Sequence, residues 1–132
     1  SDVCSSDLSR ERALGLCYEG EVRELEPAGV LANLPSAPDD YAVRLLEGVA
    51  AHRAEIDAHL TEYSEHWSLE RMPVVDRCIL RIAAYELAYE PEVPTAVAIN
   101  EAVELAKQYS TKDSGRFVNG LLSRIAAEVR AS

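Results

Sequence analysis

Between its proline breaks this sequence repeats apolar residues at intervals of three and four and never alternates them, a pattern that builds helices and leaves no strand. After Ser9, a side chain suited to an N-cap, Ala13, Leu14, Cys17, Tyr18 and Val22 recur in this way, with Glu11 and Arg12 in the first turn. Pro27 stops that run. A short apolar piece, Ala28 to Leu34, leads into the linker Pro35-Ser-Ala-Pro38. Asp39 or Asp40 opens the longest expected helix, reaching about Glu65, with Leu45, Leu46, Val49, Ile56, Leu60 and Tyr63 in one stripe. Ser68 is expected to cap a short turn. Met72-Pro73 starts the next helix, since proline is well tolerated at the first helical position. Val75, Ile79, Ile82, Ala83 and Leu87 carry it to about Glu90, where Pro91 and Pro94 end it. One more helix spans about 96–109, burying Ile99, Ala102, Val103 and Ala106. A last one, capped by Asp113 or Ser114, turns Val118, Leu121, Leu122, Ile125 and Val129 inward. The fold class read from this pattern is all-α.

The first eight residues lack periodicity and read as a disordered or non-native leader, which puts the domain at 9–132. A length of 132 residues, 48% of them apolar, suits one domain or two small bundles sharing an interface. No apolar run approaches the ~18 residues that a membrane span requires, and no signal peptide is visible. Cys4, Cys17 and Cys78 are an odd, scattered set, which argues against a disulfide framework and fits a reducing cytoplasm. The net charge of −10 speaks against nucleic acid, because phosphate neutralisation drives such binding. That charge is uneven, however. Residues 1–67 carry 14 acidic and 5 basic side chains, residues 68–132 carry 9 and 8, so the second half has room for a local basic face.

Catalytic and metal chemistry find little support. His52, His59 and His66 lie seven apart on one expected helix face, ~10 Å between neighbours, too far to share a metal. HExxH, a glycine-rich phosphate loop and a GxSxG elbow are absent. Glu101 and Glu104, with Glu11, Glu19 and Glu21, are better read as solvated, charge-paired faces than as catalytic carboxylates, Glu104 standing three before Lys107. Trp67 reads as a core or inter-bundle plug. Two polar groupings resist a purely structural account. Arg77 and Arg81, four apart on a core helix, are expected to emerge together on one edge. The run Ser110 to Gly120 unites Lys112, Arg116, Phe117 and Asn119 with a helix N-terminus, where backbone N–H groups favour anions. Gly120 inside a helix costs about 1 kcal/mol against alanine, which suggests close approach by a helix or a ligand.

Ile79-Leu-Arg-Ile-Ala-Ala-Tyr-Glu-Leu87, Val93 to Lys107 with its Ala-Ile-Asn-Glu-Ala centre, and Asp113-Ser-Gly-Arg-Phe-Val-Asn-Gly-Leu-Leu122 together resemble the NusB family of bacterial transcription antitermination factors. Pro73-Val-Val-Asp-Arg77 and Arg10-Glu-Arg-Ala-Leu14 with Tyr18 extend the likeness to roughly residues 9–130. The resemblance implies two small antiparallel helical bundles packed together, here about 9–66 and 67–130, with no cofactor, no metal and no catalysis. It implies binding of boxA-type single-stranded RNA from ribosomal RNA leaders, jointly with a NusE-type small ribosomal protein, and delivery to elongating RNA polymerase. Carried over residue by residue, RNA contacts fall to Arg10 and Arg12, and to Arg77, Arg81, Lys107, Phe117, Asn119 and Ser123. The NusE-facing surface includes Tyr18 and Glu86.

One departure stands out. Family members open with several Arg or Lys before the position of Arg10, a place taken here by an acidic, serine-rich stretch. Two other readings stay open: the RNA-recognition domain of a ribosomal RNA cytosine methyltransferase, for which a chain ending at Ser132 leaves no room for a catalytic domain, and a protein-binding helical scaffold.

Overall fold

The computed structural model describes residues 7–64 and 68–130. Seven α-helices lie within them: α1 (Asp7–Arg23), α2 (Pro27–Ala32), α3 (Asp40–Ala51), α4 (Arg53–Tyr63), α5 (Val74–Tyr89), α6 (Thr95–Tyr109) and α7 (Ser114–Val129). A 3-10 turn, Leu69–Arg71, precedes α5. Among the described residues there is no strand, so the architecture is all-α. None of these helices is long and apolar enough to cross a membrane.

The helix starts and stops follow the sequence with four differences. First, α1 begins at Asp7, two residues inside the expected leader, and Ser9 is no cap; its hydroxyl donates to Asp39 Oδ2 instead. Asp39 does cap α3, accepting the Ala42 N–H at 3.0 Å, so one carboxylate ties two helix beginnings together.

Second, the single long helix expected from Asp39 divides at His52, whose backbone angles (φ −113°, ψ 20°) leave the helical region. The cause is packing on α5. At Gly48 a Cβ would overlap the Tyr85 ring, so the two helices approach at the closest distance a side chain permits. One turn on, the His52 ring stacks on Tyr89 with centroids 3.8 Å apart. Hydrogen bonds from His52 N–H to Gly48 and from Ile56 N–H to His52 survive, so the chain bends without losing its ladder there. Third, Pro73 stands at the N-cap of α5 rather than in its first turn. Fourth, Asp113 occupies the N-cap of α7 without a side-chain capping bond. Cys4, Glu65, His66 and Trp67, and with them the inter-bundle plug expected of Trp67, lie outside the described residues.

Helix α5 is the axis of the molecule. From Cys78 through Leu87 every side chain is buried, because α1, α3, α4, α6 and α7 all pack around it. Ala13 and Leu14 of α1, Leu45 and Val49 of α3, and Ile56 and Leu60 of α4 share one apolar interior with Ile79, Leu80, Ile99, Val118, Leu121, Leu122 and Ile125. The helices before and after residues 65–67 therefore meet across a common core. A smaller cluster of Leu16, Val30 and Leu46 seats α2.

Candidate nucleic-acid interface

A helix buried on every side has no edge on which cations can emerge, and this decides the fate of several expected contacts. Arg81 is 5% exposed; its guanidinium binds both oxygens of Asp57 and one of Glu21. Burial alone raises the Glu21 pKa, but Arg81, and then Arg53, hold that carboxyl below its ordinary value. Arg77 points its Nη1 at the carbonyls of Leu69, Glu70 and Met72, closing the 3-10 turn. Arg10 is 1% exposed, with Nε 3.0 Å from both oxygens of Glu86 and Nη2 at 2.9 Å from one. Glu86 is itself 1% exposed and also accepts the Tyr41 hydroxyl. The expectations that Arg10, Arg77 and Arg81 meet RNA and that Glu86 faces a partner are thus corrected. Arg10, Arg81 and Glu86 are spent inside the fold, where a paired, desolvated guanidinium has nothing to offer a phosphate, and half-buried Arg77 is turned onto backbone carbonyls.

The same polar interior continues along α5. Glu90, one turn after Glu86, takes both Arg44 nitrogens at 2.6 Å and the Tyr85 hydroxyl at 2.8 Å. Arg130 donates to the carbonyls of Glu86 and Leu87 in the last turn of α5 and of Glu90 and Val93 just beyond it, among them the Leu87 carbonyl that a helix end leaves open. Nothing in the periodicity marks Arg130 for this work.

The exposed chemistry collects elsewhere. One groove of about 300 Å³ is lined by Glu11, Leu14, Gly15 and Tyr18 of α1, Val75 of α5 and Tyr109 of α6. Tyr18 and Tyr109 are 43% and 45% exposed, unusual for large rings, and the Tyr109 hydroxyl is steered by Glu11. A second groove, about 560 Å³, is lined by Arg71, Met72, Pro73, Asp76, Thr111, Asp113, Ser114 and Phe117. Val75 and Asp76 are consecutive, and Tyr109 and Thr111 are two apart, so the grooves adjoin across the start of α5 and the end of α6.

Exposed cations border this band. Arg12 lines a shallow depression with Glu11 and Gly15 at one end. Arg71, Lys112 and Arg116 are exposed at the other. Lys107 lays its stem over Gly115, whose absent Cβ would sit 3.4 Å from Lys107 Cγ, and its ammonium lies 3.4 Å from Glu104 in the expected exposed pair. Asn119 and Ser123 follow Arg116 on the solvent face of α7, Ser123 Oγ donating to Asn119 at 3.4 Å. Gly120 sits on that face in open space, the Arg124 guanidinium alone coming within reach at 4.0 Å, so no neighbouring helix explains it. The close approach of α6 and α7 is at Gly115 instead.

Exposed cations and aromatic rings thus share one band of the surface. Arg12, Lys107, Phe117, Asn119, Ser123 and Tyr18 lie on or beside the band. Lys112 and Arg116, which the sequence groups with Phe117 and Asn119, join it, and so do Arg71 and Tyr109, which the sequence reading did not single out. Their signal was available in the sequence, as cations and an aromatic at element ends, where a side chain escapes the core. Among the described residues no group of three or more His, Cys, Asp or Glu is placed to hold a metal.

Comparison with known proteins bears on the family and the fold. A model of the NusB family matches residues 9–127. The transcription antitermination protein NusB of Acidothermus cellulolyticus is 49% identical over 123 residues, which is 90% of this chain and 85% of that one. The solved structure of T. maritima NusB superposes with a TM-score of 0.83 at 38% identity, covering 92% of this chain and 90% of the other. A crystal structure of the antitermination factors NusB and NusE in complex with dsRNA matches at a TM-score of 0.78 and 27% identity, over 92% of this chain and 96% of that chain. With the family model spanning nearly the whole of the core described above, the chain belongs to the NusB family.

Proposed function

We propose that this chain is an RNA-binding adaptor in transcription antitermination, which joins a NusE-type ribosomal protein and holds RNA by contact alone, without bond chemistry. The observation that carries the reading is the band itself: Tyr18, Tyr109 and Phe117 on two adjoining grooves, bordered by exposed Arg12, Arg71, Lys112 and Arg116, on a chain whose net charge is −10. Aromatic faces stack unpaired bases while cations follow the backbone, which is how single-stranded RNA is held. A boxA-type leader RNA is the substrate that this arrangement and the family suggest. Residues 9–132 act as one domain of two sub-bundles, working in the cytoplasm and reaching RNA polymerase indirectly. Arg12, Lys107, Phe117, Asn119 and Ser123 keep their proposed RNA roles, and Tyr18 stands where RNA and partner surfaces adjoin.

The methyltransferase alternative is less favoured, because relatives matched over about nine tenths of this chain bear the name transcription antitermination protein NusB. The experiment is capture of this chain on immobilised NusE with and without a boxA oligonucleotide. The triple variant Arg71→Glu, Lys112→Glu, Arg116→Glu is run beside the parent. Loss of RNA with NusE capture retained supports the adaptor; RNA binding unchanged in the triple variant removes its basis and favours the scaffold. Substituting Arg77 and Arg81 is no test of RNA binding, since both are consumed internally.

A further inference from the structure

The packing around Asp76 satisfies only half of its carboxylate. It is 5% exposed at the start of α5, and one side chain reaches its carboxylate: Ser114 donates to Oδ2 at 3.1 Å. Oδ1 accepts from no described group. The Ser114 hydroxyl is itself held by Thr111 at 2.8 Å and Ser110 at 3.0 Å, so the carboxylate is positioned from one side by a fixed network. It lines the larger groove together with Arg71, Pro73 and Phe117. A buried acceptor without a donor is costly, so native folds keep few of them, and each marks strain, a bound water or ion, or a functional role. Asp76 lines the groove, and the broad terminal torsion of an aspartate lets Oδ1 address it while Oδ2 stays on Ser114.

We propose that Asp76 is a base-reading residue of the RNA face: with a base stacked against Phe117, its carboxylate accepts N–H donors from the edge of that base and selects guanine over uracil. An ionised carboxylate only accepts hydrogen bonds. Guanine presents two adjacent donors, the ring N1–H and the exocyclic amine, at the spacing of a carboxylate's two oxygens. Cytosine and adenine present an amine beside a ring acceptor and rank below it. Uracil presents one N–H flanked by two carbonyl oxygens, which the carboxylate repels. The groove, at about 560 Å³, has ample room for a purine, and Arg71 at its rim is placed for the adjoining phosphate. This inference rests on the RNA-binding reading above.

The test uses the full chain with NusE and fluorescence anisotropy on single-stranded RNAs: a uracil nonamer, and the same nonamer with one guanine at each position in turn. The parent is expected to bind the best guanine-bearing RNA about 10-fold more tightly than the all-uracil one, the size of one well-made base contact. Asp76→Asn is nearly isosteric, still accepts from Ser114, and adds an amide donor that suits a uracil carbonyl. It is expected to erase or invert the preference while its melting curve stays at or above the parent's, because a purely structural Asp76 has no means of altering base choice. If the parent binds none of the RNAs, the RNA reading itself falls and this inference with it. If the parent binds RNA but guanine changes affinity less than 2-fold at every position, or Asp76→Asn keeps the parent's preference, the RNA reading stands and Asp76 as a base reader is overturned.

Discussion

Replacing Glu86 with alanine tests whether the Arg10–Glu86 pair is an internal brace or a surface contact. Arg10 loses the acceptor of its Nε and Nη2 at 2.9–3.0 Å, and Tyr41 loses the acceptor of its hydroxyl, all in a site 1–2% exposed. Burial, the largest single influence, works to lower the Arg10 pKa. The hydrogen bond and the charge of Glu86, with smaller help from Tyr41 and Glu101, together more than reverse it, so the guanidinium stays charged where water does not reach. Stranding a buried charge in this way costs about 3–5 kcal/mol. For a domain of 132 residues that is a fall in Tm of roughly 10–20 °C. The assay is urea and thermal unfolding followed by far-UV circular dichroism, together with NusE capture at a temperature where every variant is folded. The double variant Arg10→Met, Glu86→Gln removes both charges and leaves Tyr41 an amide oxygen. It should lose clearly less than the single variant, the coupling expected of groups in direct contact. A Glu86→Ala protein that melts within about 2 °C of the parent yet no longer captures NusE would refute the reasoning and return Glu86 to the surface.

Three further outcomes follow from the geometry. Neutralising Arg71, Lys112 and Arg116 one at a time to alanine should flatten the slope of log affinity against log salt by about 0.7 for each phosphate no longer neutralised, read from RNA titrations at several salt concentrations; an unchanged slope removes that residue from the interface. Gly48→Ala forces a methyl into the Tyr85 ring and should cost about 1–3 kcal/mol, whereas Gly120→Ala adds a methyl in open space on a helix and should gain about 0.5–1 kcal/mol, both read by denaturation. Burial pushes the thiols of Cys17 and Cys78 up to about 12 and about 11, so iodoacetamide at pH 7.5 should leave both unlabelled in the folded protein and label them after urea unfolding, as mapped by mass spectrometry.

The spacing of apolar residues was enough to establish the helical class, the proline breaks and most helix boundaries, because each of these is a local consequence of chain geometry. The composite of residues 79–122 carried the family. What periodicity leaves open is how many sides of a helix are covered. Helix α5 carries Arg77, Arg81 and Glu86 at positions that look like a polar edge when a single neighbour is assumed. Five helices surround it, and those charges turn inward to Asp57, Glu21, Arg10 and nearby carbonyls. The break at His52 has the same origin, since Gly48 and His52 answer to Tyr85 and Tyr89, more than thirty residues away in sequence. The exposed band is likewise assembled from α1, the turn before α5 and the junction of α6 with α7. Tertiary packing alone decides which cations reach water, because a guanidinium has the same local pattern whether its partner is a phosphate in solution or a carboxylate in the core.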